Sequence, residues 1–145
     1  MTISIKRVTN TNTPVIPTRG TPASAGYDLH TTEYCDIAPG ETKLIGTGIA
    51  MAIPDGYFGA IYPRSGISVK QGLRLANCVA VIDSDYRGEL KIPLYNDSNN
   101  IQTIVPGDRI AQIIIQPYLQ FEWEEVNELS KTNRDTGGFG STGRN

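Results

Sequence analysis

Short apolar runs separated by turn-forming residues set the folding options of this chain. Residues 42–47, 49–53 and 57–62 follow one another with only Gly48 and Pro54-Asp55-Gly56 between them, and Pro39-Gly40 precedes the first. Runs this short, bounded this way, are strands and not helices. The same pattern continues through 78–82, 89–95, 102–105 and 109–116, with Ile3, Ile5 and Val8 opening a first strand and 121–126 forming a last one. Many short strands at regular spacing predict an all-β sandwich or barrel, not alternating helix and strand. Two runs carry more detail. Leu90, Ile92 and Leu94 alternate with Lys91 and Pro93, a half-buried strand whose proline points to an edge or bulge. Ile113-Ile114-Ile115 is apolar on both faces, as in a strand covered on each side.

One short helix is expected. Ser65 would cap it, residues 66–71 would form a turn or two, and Gly72 would end it. From residue 127 onward the apolar period stops, so 1–126 reads as one β domain and 127–145 as a mobile, glycine-rich arm. A chain of 145 residues can bury one core without metal or disulfide support. Its net charge of −2 argues against a nucleic-acid binder, which would carry a basic patch or stripe. Cys35 and Cys78 show no zinc spacing and sit in apolar, strand-like surroundings, which predicts buried reduced thiols. With no apolar run of membrane-spanning length and no signal-peptide pattern, a soluble cytoplasmic protein is expected.

Several segments carry groups that can do chemistry. The stretch Ala80-Val81-Ile82-Asp83-Ser84-Asp85-Tyr86-Arg87-Gly88-Glu89-Leu90 reads as a hairpin with a carboxylate and an aromatic ring at its mouth. Asp and Gly also populate ordinary turns. Pro63-Arg64-Ser65-Gly66 lies where a strand meets a helix start, a place suited to phosphate or simply to a serine cap. Asp28, within Ala25-Gly26-Tyr27-Asp28-Leu29, suits either a hydrated cation or a satisfied buried turn. Gln112, after Gly107-Asp108-Arg109-Ile110-Ala111, falls among apolar residues and needs a partner.

The tail Arg134-Asp135-Thr136-Gly137-Gly138-Phe139-Gly140-Ser141-Thr142-Gly143-Arg144 lacks the lysine and the following helix of a Walker loop. It keeps glycines, hydroxyls and guanidiniums suited to phosphate, with Phe139 free to stack on a base; a solubilising terminus is the plainer alternative. His30 has no second ligand at metal spacing and reads as incidental.

In this order and spacing, these five segments resemble the five motifs of trimeric dUTPases. The resemblance implies a jelly-roll-like β subunit, a homotrimer with shared active sites, and Mg2+-dependent hydrolysis of dUTP to dUMP and pyrophosphate. It makes Asp83 the general base that activates water at the α-phosphorus. Aspartate is a weak base, so positioning and charge neutralisation must supply most of the rate. The resemblance gives Asp28 the magnesium-bound waters, and Arg64, Ser65, Gly66 and Gln112 the phosphates. Asn77 with the backbone of Val81 and Ile82 would read uracil, in a hairpin too narrow for a 5-methyl group, with Lys91 also in the substrate site. Tyr86 would lie under the deoxyribose and exclude a 2′-hydroxyl. Arg134, Gly138, Phe139, Gly140, Ser141 and Thr142 would come from another subunit as a lid that excludes water. Ala80 stands where many members carry glycine, beside the uracil-reading strand. Two other readings compete. One is a dCTP deaminase of related fold, which would release ammonia; the other is a nucleotide-responsive regulator that binds a protein partner.

Overall fold

A computed structural model of the chain describes residues 1–8 and 14–138. Among them lie eleven strands and one helix: β1 Ser4–Arg7, β2 Tyr27–His30, β3 Cys35–Ile37, β4 Thr42–Gly46, β5 Ile49–Ala52, β6 Tyr57–Tyr62, α1 Ser65–Gln71, β7 Leu73–Leu75, β8 Ala80–Ile82, β9 Lys91–Asn96, β10 Gln102–Ile104 and β11 Arg109–Pro117. They form antiparallel sheets in the orders β2-β11-β6-β8 and β4-β9-β7, with two-stranded pairs β1-β5 and β10-β3. The fold is therefore all-β with a short helix, as the punctuated pattern predicts.

Period-two alternation explains where the core sits. Along β9, Ile92, Leu94 and Asn96 are buried while Lys91, Pro93 and Tyr95 face outward or sit half-buried. Leu29, Ile37, Ile45, Met51, Ile61, Leu73, Ile92, Ile104 and Ile113 belong to one buried cluster drawn from every sheet, so the sheets wrap a single interior. Asn96 is the polar exception within it. Its amide donates to the carbonyls of Ile37 and Asn100, both at 2.8 Å, and its carbonyl accepts from the Ser98 amide at 2.9 Å and hydroxyl at 2.7 Å. Fully paired, it ties β9 to β3 without leaving an unsatisfied group.

Several sequence expectations are corrected. The stretch after β8 does not return as a hairpin partner: β8 pairs with β6, whereas β9 pairs with β4 and β7. Pro93 lies in the middle strand of its sheet, opposite Leu44, and not at an edge. β7 makes its last register pair at Leu94, so the proline, whose carbonyl accepts from Ala76 at 2.8 Å, lacks a donor only where that ladder has run out.

Ser65 is the first helical residue, not the cap; Arg64 holds the cap position without a side-chain cap bond, and Gly72 ends the helix at φ 67°. Neither cysteine is buried, for Cys35 is half-buried and Cys78 exposed at φ 62°. No strand forms over 121–126. Among the described residues the last strand ends at Pro117, and Phe121 and Trp123 are 67% and 89% exposed, packed edge to face on one another.

Candidate functional site

The sheet order β2-β11-β6 builds a polar pocket from distant segments. Gln112 of β11 lies opposite Asp28 on β2 and opposite Tyr62 on β6, and Pro63-Arg64 follows β6 directly. Asp28 is buried, and its two oxygens are divided between two cations. Arg64 Nε donates to Oδ1 at 2.7 Å and Arg109 Nη1 to Oδ2 at 3.2 Å. Arg64 also donates through Nη1 to the Arg109 carbonyl at 3.3 Å. Two positive charges against one negative leave the pocket cationic while fixing the aim of both guanidiniums, which suits a polyanion.

The cavity, about 190 Å³, is also lined by Gly20, Ser24, Gly26, Ser65 and Gln112. Gln112 Nε2 donates to the Pro63 carbonyl at 2.9 Å, and its side chain lies against Gly26, just before β2. A β-carbon on Gly26 would stand 3.1 Å from Gln112 Cδ and collide with Oε1, so a side chain there would push the Gln112 amide from its place. Gly66 is open, with nothing within 4 Å of where a β-carbon would stand, and the first-turn amides of α1 have no carbonyl to accept them within the helix. A larger concavity of about 500 Å³ has an apolar lining of Met1, Ile3, Ile5, Ile16 and Ile114 and holds none of these charged groups.

Among the described residues, Asp83, Asn77, Val81, Ile82, Tyr86, Lys91, Arg134 and Gly138 do not line this cavity. Asp83 is exposed and follows edge strand β8, whose register with β6 runs Ile61↔Ala80, Ala60↔Val81, Gly59↔Ile82. Continuing it, Asp83 falls level with Phe58 while Arg64 lies beyond Tyr62 at the far end. At ~3.4 Å per residue the Phe58 and Tyr62 levels alone are about 14 Å apart. Within one chain, Asp83 and the Asp28–Arg64–Gln112 pocket are not one site.

Asn77 is exposed in the turn before β8, where the Val79 amide donates to its carbonyl at 2.7 Å. Ile82 faces the core and Val81 faces out, 61% exposed. Tyr86 is exposed, its hydroxyl donating to the Glu89 carbonyl at 2.9 Å. Lys91 is exposed at the start of β9, with Nζ 3.8 Å from Glu89 Oε2. Arg134 is exposed and donates to the Gly137 carbonyl at 2.8 Å, and Gly138 is half-buried. Phe139, Gly140, Ser141 and Thr142 lie outside the described residues.

Arg109, Ser24, Gly20 and Gly26 were not singled out from the sequence as site residues. Arg109 carried the only usable signal, a cation opening an otherwise apolar strand three residues before Gln112.

His30 also belongs to this neighbourhood, opposite Arg109 in the β2–β11 register, with Nδ1 buried and unpartnered. Burial lowers its pKa below 6.5; Asp28 opposes this, and Arg109 and Arg64 add to it. The unfolded chain therefore takes up this proton at a higher pH than the folded one. Stability from this group is complete above 6.5 and falls as pH drops from there toward the lowered folded value. Urea midpoints for the wild type should decline between pH 7.5 and 5.5 more than those of His30→Gln; equal declines would remove His30 as the cause.

Among the described residues no three His, Cys, Asp or Glu side chains converge as a metal cage. With both Asp28 oxygens engaged by arginine, the donor set fits a hydrated ion carried by phosphates and touched through water.

The dUTPase family model matches residues 12–143. The deoxyuridine 5'-triphosphate nucleotidohydrolase of Finegoldia magna is 49% identical over 143 residues, covering 97% of this chain and 99% of that one. That of Nautilia profundicola is 52% identical over 130 residues, covering 90% and 92%. The dUTPase of Staphylococcus bacteriophage 80alpha, solved with dUPNHPP, superposes with a TM-score of 0.90 at 30% identity over 98% of each chain. A variant dUTPase of phage phi11 of S. aureus, solved to show coordination of a structural Mg(II) ion, matches at 27% identity and a TM-score of 0.79, covering 88% of this chain and 98% of that one.

Proposed function

This chain belongs to the dUTPase family and hydrolyses dUTP to dUMP and pyrophosphate, and we propose that it does so in sites assembled from several copies of its jelly-roll β subunit. The observation that carries the shared site is the β6–β8 register, which sets Asp83 and the Asp28–Arg64–Gln112 pocket at opposite ends of one sheet. A homotrimer lets the Asp83 end of one subunit meet the arginine pocket of another. The exposed apolar side chains Leu119, Phe121, Trp123, Val126 and Leu129 support this reading, since a lone subunit leaves them in water.

In the assembled site Asp83 orients a water toward the α-phosphorus and takes its proton. Arg64, Ser65, the Gly66 amide and Gln112 hold the phosphates. Asp28 keeps Arg64 and Arg109 aimed and contacts magnesium through its bound water, the ion serving to neutralise phosphate charge. Asn77 with the backbone of Val81 and Ile82 reads uracil, Lys91 joins the substrate site, and the ring of Tyr86 lies beneath the deoxyribose. The arm, 127–145, brings Arg134, Gly138, Phe139, Gly140, Ser141 and Thr142 as a lid over the bound nucleotide. A cytoplasmic location fits the two free thiols. No helix among the described residues is long and apolar enough to cross a membrane.

Pyrophosphate release from dUTP, UTP, dTTP and dCTP, with magnesium and after chelation, tests the substrate and metal assignments. Release from dUTP should exceed that from the others by ~10²-fold or more and fall on chelation. Comparable rates for UTP or dTTP would refute the pocket assignment; an unchanged rate after chelation would refute the metal's role.

A further inference from the structure

Tyr86 is folded back onto its own turn. Its hydroxyl donates to the Glu89 carbonyl, and the hydroxyl end of its ring fills the space where a β-carbon of Gly88 would stand. A β-carbon at Gly88 would stand 2.6 Å from Tyr86 Cζ and 3.0 Å from Cε2, well inside the ~3.5–4.0 Å of an ordinary carbon contact. Gly88 is not among the glycines at positive φ, so backbone conformation does not demand glycine here. The demand is for space alone.

The atoms in the way are the far end of a side chain that is 44% exposed, and it can leave by rotating toward solvent. The turn beneath does not depend on that ring. It is held by Tyr86 N–H to the Asp83 carbonyl at 3.2 Å, Leu90 N–H to the Ile49 carbonyl at 2.8 Å, and Gly48 N–H to Glu89 Oε1 at 2.7 Å. A side chain at position 88 would therefore displace the tyrosine and leave the turn in place.

We propose that Gly88 is a specificity-determining positioning residue, whose bare backbone is the seat that keeps the Tyr86 ring against the sugar and so excludes ribonucleotides. The inference rests on the reading of Tyr86 as the residue beneath the deoxyribose. A ring whose hydroxyl end is seated over Gly88 and tied to Glu89 cannot yield to a 2′-hydroxyl, whereas a ring swung into solvent presents no wall. The hydroxyl's bond to Glu89 fixes the tilt, and the glycine fixes the depth.

The test is the ratio of kcat/KM for UTP to kcat/KM for dUTP, measured for wild type, Gly88→Ala, Tyr86→Ala, the double variant and Tyr86→Phe. Gly88→Ala should raise the ratio about tenfold or more, with a melting temperature close to wild type. Adding it to Tyr86→Ala should raise the ratio no further, because its effect passes through the ring. A Gly88→Ala ratio within twofold of wild type, while Tyr86→Ala relaxes it, overturns the role of Gly88 and leaves the Tyr86 reading standing. If neither variant relaxes it, the Tyr86 reading itself is lost. Relaxation by Tyr86→Phe equal to that of Gly88→Ala also overturns the inference, since the hydroxyl bond and not the glycine would then hold the ring.

Discussion

Replacing Asp83 with asparagine should lower kcat for dUTP by ~10²–10⁴-fold, the range a positioned general base contributes. Asparagine matches aspartate in size and can still hold a water by hydrogen bonding, but it cannot take the proton. Affinity for a non-hydrolysable analogue should stay within a few-fold, because the cationic pocket proposed for the phosphates is lined by Arg64, Ser65, Arg109 and Gln112 and not by this side chain. Asp83 is exposed, so thermal stability should change by no more than about 0.5 kcal/mol. Steady-state kinetics with analogue titration separate the two effects. Equal turnover in the variant would strip Asp83 of its role, and a loss confined to KM would make it a binding group instead.

Deleting residues 134–145 should cut kcat/KM by ~10²-fold or more, since an open site loses both water exclusion and the positioning of the phosphates. The fold should survive. Within the described part of the arm, Arg134 and Gly137 bond only to each other, at 2.8 and 2.9 Å. Mixing this truncated chain with Asp83→Asn after partial unfolding and reassembly discriminates further. If the arm serves another subunit's Asp83, mixed assemblies regain activity, because some sites then combine an intact aspartate with an intact arm. No recovery on mixing would mean that each arm closes over its own subunit's Asp83.

The fold was legible wherever a strand was long enough to show its period. β6 was read at its observed limits, and β4, β5 and β11 to within a residue or so, because turn residues bracket them. β2, β3 and β7 were missed. β1, β8 and β10 are as short and were read, so length alone does not explain the misses; Leu73-Arg74-Leu75 directly follows the helix-ending Gly72 and is too brief for alternation to separate it from chance. The expected hairpin failed for a different reason. Its turn residues are real, but Leu90 bonds to Ile49 before the return strand begins, which hands the chain to another sheet. Cys78 was misread through its apolar neighbours, although it belongs to the turn and not to β8. Over 121–126 a strand-like composition forms no ladder, since composition does not supply a partner.

The site divides in the same way. Arg64, Gln112 and Asp28 were identified locally, from a strand–helix junction, a polar residue in an apolar strand and an acid in a turn-like setting. That Asp28 binds both Arg64 and Arg109 spans 36 and 81 residues of sequence, and no local pattern encodes it. The opposed placement of Asp83 and Arg64 likewise appears only once the β6–β8 register is known.

The double grip of Asp28 bears on how quickly this catalyst can be ready for a new molecule. Two long, many-rotamer side chains are immobilised before any nucleotide arrives. Their freedom is surrendered once, as the polypeptide folds, instead of afresh in every cycle, so an anion entering the pocket meets guanidiniums that have little ordering left to lose.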